Sequence, residues 1–220
     1  KNVNESEKRV AIEQTKVSLN AGTLIGYREN DVNIFKGIPY AKTERFQNPE
    51  PIQKFESSPQ MALTYGAVSP QNVTKSQSSP SPYEFITPTN GTSDMVSNES
   101  VQYLNVWSNN SKNKKPVVVF FHGGGLVSGA SSELSVYDGE KIAADQNLVF
   151  VSVNHRLNAL GFLDLSNYGD EYAESGILGI KDCITALNWV QDNIEKFGGD
   201  PSNVTIIGQS GGAEKVSTLA

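Results

Sequence analysis

A chain of 220 residues with 37% hydrophobic content can bury a sizeable core, as one domain or as part of a larger one. Its formal net charge of −6 disfavours nucleic acid or an anionic membrane surface as the main partner. No run of about 18 apolar residues is present to span a bilayer, and the single cysteine, Cys183, excludes an intrachain disulfide and a cysteine-based metal site.

The chain begins at Lys1 without a methionine and shows no signal peptide, which reads as a processed, trimmed or partial sequence. The first elements in chain order are short apolar-polar runs, Val17 to Leu19, Leu24 to Tyr27 and Val32 to Phe35. Asn20-Ala21-Gly22 and Glu29-Asn30-Asp31 separate them, and together they predict antiparallel β structure. A polar segment from about residue 69 to residue 100 follows, crowded with Ser, Pro, Asn and Thr. It carries no periodicity and reads as a long loop. Asn-x-Ser/Thr sequons begin at Asn4, Asn72, Asn90, Asn98, Asn109 and Asn203, but a sequence this rich in Asn and Ser produces several by chance.

From Val101 the pattern changes. Val101 to Trp107 predicts a strand, and the continuous apolar runs Pro116 to Phe121 and Leu148 to Val153 predict central strands covered on both faces, the mark of a mainly parallel sheet. Tyr137 to Gln146 predicts a short helix between them. A stronger amphipathic helix is predicted over Ile180 to Phe197, with Ile180, Ile184, Leu187, Val190, Ile194 and Phe197 at helical spacing, ended by Gly198-Gly199 and Pro201. Cys183 falls on the same apolar stretch and reads as a small core residue. Val204 to Ile207 predicts a strand that runs into Gly208, and a helix is expected to start near Gly212. Strands alternating with helices indicate an α/β fold.

Gly208-Gln209-Ser210-Gly211-Gly212 fits G-x-S-x-G. With 19 glycines and 24 serines in the chain, chance supplies about 0.2 such matches. The context decides the matter, because this motif works only as a strained strand-to-helix turn that exposes the serine, and a strand and a helix are predicted on its two sides. His122-Gly123-Gly124-Gly125 directly follows the Pro116 to Phe121 strand. Consecutive glycines leave backbone N–H groups free to approach a ligand. In an ester hydrolase such donors would face the oxyanion of a tetrahedral intermediate, each worth about 2.7–4 kcal/mol in the transition state.

These segments resemble the type-B carboxylesterase/cholinesterase family, whose fold is the α/β-hydrolase fold. The resemblance covers almost the whole chain. GTLIGYRENDVNIFKGIPYAKTERF (Gly22 to Phe46) resembles the family's opening hairpin and its G-I-P-Y-A motif. YGAVSPQ (Tyr65 to Gln71), YLNVW (Tyr103 to Trp107), FFHGGGLVSGA (Phe120 to Ala130), YDG (Tyr137 to Gly139), VNHRLNALGFL (Val153 to Leu163) and the ungapped stretch Leu178 to Gly212 follow in the family's order. The resemblance implies a central mostly parallel sheet flanked by helices, with an N-terminal antiparallel hairpin. It also implies that residues 1–220 are the N-terminal part of a single catalytic domain whose remainder lies beyond Ala220.

By the same resemblance Ser210 is the acyl-accepting nucleophile. Gly124, Gly125 and the N–H of Gly211 form the oxyanion hole, and Gly123 shapes the loop. Two buried ion pairs are implied, Arg45 with Glu99 and Arg156 with Asp182, so that Arg45→Ala is expected to harm folding more than catalysis. Gln209 stands where the family usually has Glu, which weakens the case for a cationic substrate. Ser69 and Val101 stand at the family's two half-cystines, so the loop between them is expected to be more mobile. The sequons and the polar surface favour a secreted or cell-surface location, and the lost disulfide opposes it.

A serine nucleophile needs a histidine base and an acid to orient it. His122 reads as a residue that orders the oxyanion loop and His155 as packing, so both partners are expected after Ala220, from a second chain or a continuation. The expected activity is hydrolysis of a small-molecule carboxylic ester, with neither metal nor organic cofactor. The competing readings are a non-catalytic adhesion or binding module of the same fold, and a lipase, for which no amphipathic lid helix is evident.

Overall fold

The computed structural model describes residues 15–71, 95–109 and 114–220. Lys16–Leu19 (β1) and Gly22–Ile25 (β2) form the expected antiparallel hairpin, which Gln60–Met61 (β7) extends into a small three-stranded sheet. Ala41–Lys42 (β5) and Glu50–Pro51 (β6) make a separate two-residue ladder. The main sheet has six strands: Tyr27–Glu29 (β3), Val32–Pro39 (β4), Tyr103–Asn109 (β8), Lys115–Phe121 (β9), Val149–Val153 (β10) and Gly199–Gly208 (β11), in the order β11-β9-β10-β8-β4-β3. Asn30 and Asp31, at φ 45° and 63°, make the tight turn between β3 and β4, the conformation in which short hairpin loops match strand twist.

The parallel character expected from the apolar runs belongs to β11, β9 and β10. The joins of β10 to β8, β8 to β4 and β4 to β3 are antiparallel, so the sheet is mixed. All five residues of β10 are buried, because helices cover both faces there. Val117, Val119, Phe121, Val149, Val151 and Val153 pack on one side against Cys183, Ala186, Val190 and Ile194. Phe120, Phe150 and Trp107 pack on the other against Tyr137 and Ala143. Successive residues of a strand point to opposite faces, and these two clusters are that alternation made visible.

The helices are Glu140–Gln146 (α1), Asn158–Phe162 (α2), Leu178–Asn193 (α3) and Gly211–Leu219 (α4). A 3₁₀ turn, Ile194–Phe197, completes α3, and Gly198 ends it at φ 84°. The buried stripe of α3 runs through Leu178, Asp182, Cys183, Ala186, Trp189 and Val190. It is rotated from the face expected from periodicity, and Ile184 is left 45% exposed. The rotation accompanies the burial of Asp182, 0% exposed, in the ion pair with Arg156 that the resemblance implies. Its carboxylate accepts hydrogen bonds from Arg156 N (3.0 Å), Nε (2.9 Å) and Nη2 (2.8 Å) and from Gln102 Nε2 (3.1 Å). Cys183 is buried with it, as expected of a core residue.

The second expected ion pair forms but is not buried. Arg45 donates to both carboxylate oxygens of Glu99, at 2.8 Å through Nε, with the side chains 62% and 41% exposed. Arg45 lies in the turn between β5 and β6 and Glu99 lies just before β8, so nothing packs over them. The bidentate contact raises the arginine and lowers the carboxyl pKa, but water and salt screen such a pair. Arg45→Ala is therefore expected to leave the thermal midpoint close to that of the unaltered protein; a large drop would restore the buried reading.

Ser69 and Val101, at the half-cystine positions, are both buried, and the Ser69 hydroxyl accepts from the Leu157 N–H at 3.2 Å. Residues 72–94, most of the long polar loop, lie outside the described residues, and with them the expectation of its mobility. Of the sequons, Asn98 and Asn203 are exposed and Asn109 is half-buried on β8. Asn4, Asn72 and Asn90 lie outside the described residues. Among the described residues no helix is long and apolar enough to cross a membrane.

Candidate active site

Strand register assembles the site. Gly208 of β11 lies beside Phe121 of β9, and Phe121 lies beside Val153 of β10. The three parallel strands therefore end level, and the segments that follow them emerge side by side. After β9 comes His122-Gly123-Gly124-Gly125, after β11 comes Gln209-Ser210-Gly211, and after β10 come Asn154 and His155. Placement beyond the carboxyl ends of parallel strands is where ligands bind in open α/β sheets.

Ser210 occupies φ 53°, ψ −118°, a conformation that L-residues other than glycine rarely adopt. The strain holds the serine out of the strand-to-helix turn, where it is exposed. The turn is tight enough to exclude side chains beneath it. A methyl group on Gly212 would stand 2.0 Å from the Phe121 carbonyl oxygen. The same holds between the two glycine segments, since a methyl group on Gly211 would stand 2.5 Å from Gly125 Cα and 2.6 Å from its nitrogen. The candidate oxyanion donors of Gly125 and Gly211 are thus neighbours in space although 86 positions apart in sequence. Gly124 and Gly125 take φ 92° and 65°.

The glycine loop is braced on its far side. Gln71 accepts from the Gly129 N–H at 2.7 Å and donates to the Gly129 carbonyl at 3.0 Å. The Leu126 carbonyl accepts from Asn158 N at 2.6 Å. Gln209 lies across Gly123, its Oε1 2.1 Å from where a Cβ on Gly123 would be, and accepts a long 3.4 Å hydrogen bond from Tyr137 Oη. Burial raises the Tyr137 hydroxyl and pushes the nearby Glu133 carboxyl up to about 7.

Neither histidine serves Ser210 among the described residues. His122 is 1% exposed and its Nδ1 donates to the Gly123 carbonyl at 2.8 Å; His155, also 1% exposed, donates to the Arg156 carbonyl at 3.0 Å. The two rings stack with centroids 4.9 Å apart and planes at 5°, because each follows a level strand end by one or two residues. The loop-ordering and packing roles expected of them match this geometry. The sequence reading missed the stack, which only the β9–β10 register reveals.

Burial lowers His122 from the ordinary 6.5 to about 3 and takes His155 well down too. The unfolded chain then binds protons below about pH 6.5 that the folded chain refuses. The folded state loses stability from there downward until its own imidazoles titrate. In a series of thermal melts from pH 7 to pH 5, His155→Phe is expected to lose less stability than the unaltered protein. An identical pH slope in the two proteins would contradict the buried neutral pair. Nε2 of His155 has no partner among the described residues. Among those residues no cluster of three or more His, Cys, Asp or Glu could hold a metal ion.

Comparison with known proteins bears on this geometry. The model of the carboxylesterase family matches residues 13–220. The chain is 38% identical over 208 residues to the para-nitrobenzyl esterase of Bacillus subtilis (strain 168), covering 92% of this chain and 40% of that protein. It is 37% identical to the phenmedipham hydrolase of Pseudarthrobacter oxydans, covering 91% and 38%. An esterase from anaerobic Clostridium hathewayi that can hydrolyse aliphatic aromatic polyesters superposes with a TM-score of 0.85 at 44% identity, covering 96% of this chain and 41% of that one. The chain thus spans well under half the length of the curated relatives it matches.

Proposed function

The chain belongs to the carboxylesterase family, and from that premise we propose that it carries the nucleophile and oxyanion hole of a carboxylic ester hydrolase. Ser210 Oγ attacks the ester carbonyl carbon and its proton passes to a histidine base. The carbonyl oxygen, now an anion, is held by the N–H groups of Gly124, Gly125 and Gly211. Collapse of this intermediate breaks the bond to the alcohol, which leaves with that proton, and an acyl-serine remains. Water then attacks the acyl group through the same steps and frees the acid and Ser210.

The observation that carries this reading is the strained φ of Ser210 in a turn whose next residue abuts Gly125. A merely structural glycine turn has no need of a serine at positive φ. Residues 1–220 are the N-terminal part of one catalytic domain, and its remainder supplies the base and the acid. The lack of any histidine contact to Ser210 among the described residues and the 40% share of the relatives' length support that division. The substrate is a small carboxylic ester; Gln209 in place of an acidic residue gives a cationic alcohol no charge to seek.

A fluorophosphonate probe applied to the full-length protein, followed by peptide mapping, tests the assignment. The adduct is expected on Ser210. Absence of labelling would overturn it in favour of a binding module, and an adduct on another residue would place the nucleophile elsewhere.

A further inference from the structure

Lys215 sits five residues past Ser210 on α4 and is 1% exposed. Its ammonium donates to the His122 carbonyl at 3.1 Å. That carbonyl closes β9 and opens the glycine loop, and it lies 2.9 Å from where a Cβ on Gly212 would stand. One buried cation thus ties the loop bearing Gly124 and Gly125 to the helix whose first residue is Gly211. The charged or titratable groups that face it are Glu133 from the loop after β9, Cys183 from α3, Glu214 from α4 and the two stacked imidazoles. Among the described residues no carboxylate comes within ion-pair distance of it.

A buried ammonium without a counter-ion is costly, and a methionine of similar shape would fill the same space without that penalty. Packing alone therefore gives no reason for a lysine here. The hydrogen bond does: a carbonyl at the root of a glycine-rich loop has little else to fix its peptide plane, and the loop's N–H groups inherit that plane's orientation. We propose that Lys215 is a positioning residue of the oxyanion hole, holding the His122 carbonyl so that the N–H groups of Gly124 and Gly125 stay aligned with that of Gly211.

This rests on the ester-hydrolase reading, and the experiment separates the two. Lys215→Met and Lys215→Gln are made in the full-length protein, and kcat is measured per serine titrated by a fluorophosphonate. An arylboronic acid serves as the transition-state mimic. Lys215→Met is expected to lower kcat about 10- to 100-fold with little change in KM. Boronate affinity falls by the same factor, and Lys215→Gln, which keeps a neutral donor, recovers part of the loss. A structural role alone would lower the midpoint of a melt but leave kcat per titrated serine intact. Lys215→Met turning over at the unaltered rate per titrated serine, or Lys215→Gln losing as much as Lys215→Met, would overturn the proposal and leave the ester-hydrolase reading standing. An unaltered protein that takes no label would overturn both.

Discussion

Ser210→Ala in the full-length protein is expected to lower kcat for a carboxylic ester by about 10⁶-fold while leaving the fold intact. The size follows from the loss of covalent catalysis, since removal of a serine nucleophile that works as a unit with its base costs about that much. The fold survives because alanine and serine carry the same steric penalty at φ 53°; alanine neither relieves nor adds to the strain. Its side chain also leaves no buried donor behind, because Ser210 is exposed. Residual turnover from the proposed oxyanion donors alone is expected to remain above that of water. Measurement of kcat alongside a thermal melt checks both halves. Turnover within about tenfold of the unaltered enzyme would place the nucleophile elsewhere.

Asp182→Ala is expected to cost about 3–5 kcal/mol of folding stability. The aspartate accepts four hydrogen bonds, three from Arg156 and one from Gln102. Its loss strands a guanidinium that is only 4% exposed. Arg156 Nη1 remains bound to the Gln47 carbonyl at 2.7 Å, so the arginine cannot swing out to water without breaking a second contact. The pair joins the segment after β10 to α3, the helix that covers one face of the sheet. Against a usual total of about 5–15 kcal/mol, the loss is large enough to leave much of the protein unfolded near physiological temperature. The midpoint of a urea titration reads it directly, and an unchanged midpoint would show that the pair contributes nothing net. The contrast with Arg45–Glu99 is instructive, since both are bidentate arginine–carboxylate pairs but only Arg156–Asp182 is buried.

That contrast also marks how far the sequence could be read. The strands β9 and β10 were legible because both of their faces are covered, and such strands must be apolar throughout. The turn at Ser210 was legible because its glycines fall between a predicted strand and a predicted helix. The parallel α/β half and the antiparallel turn from β3 to β4 were legible, whereas the antiparallel joins of β10 to β8 and β8 to β4 leave no mark in local pattern. The α3 face was misjudged at Ile184 because periodicity treats charge as outward, whereas Asp182 is turned inward by a partner 26 residues away. Lys215 and the His122–His155 stack went unseen for the same reason: each owes its burial to strand register. A signal for Lys215 did exist, since a residue one turn beyond a buried Gly211 and Gly212 on a short helix must face the sheet.

Strand β11 is the last in its sheet, and its outer edge pairs with nothing among the described residues. From Asn203 to Gly208 its residues alternate between exposed and half-buried, with Ile207 38% exposed, and proline appears only at Pro201 near its start. The irregularity between Gly199 and Val204 and Pro201 guard only its start; from Val204 to Gly208 no lysine, bulge or proline, the usual defences against foreign strands, protects that edge. Produced by itself, the 220-residue chain would be adhesive along this one line. Self-association would then grow with concentration, and a lysine at Thr205 would blunt it. The strand that delivers the serine to the surface is, in that setting, also a template for aggregation.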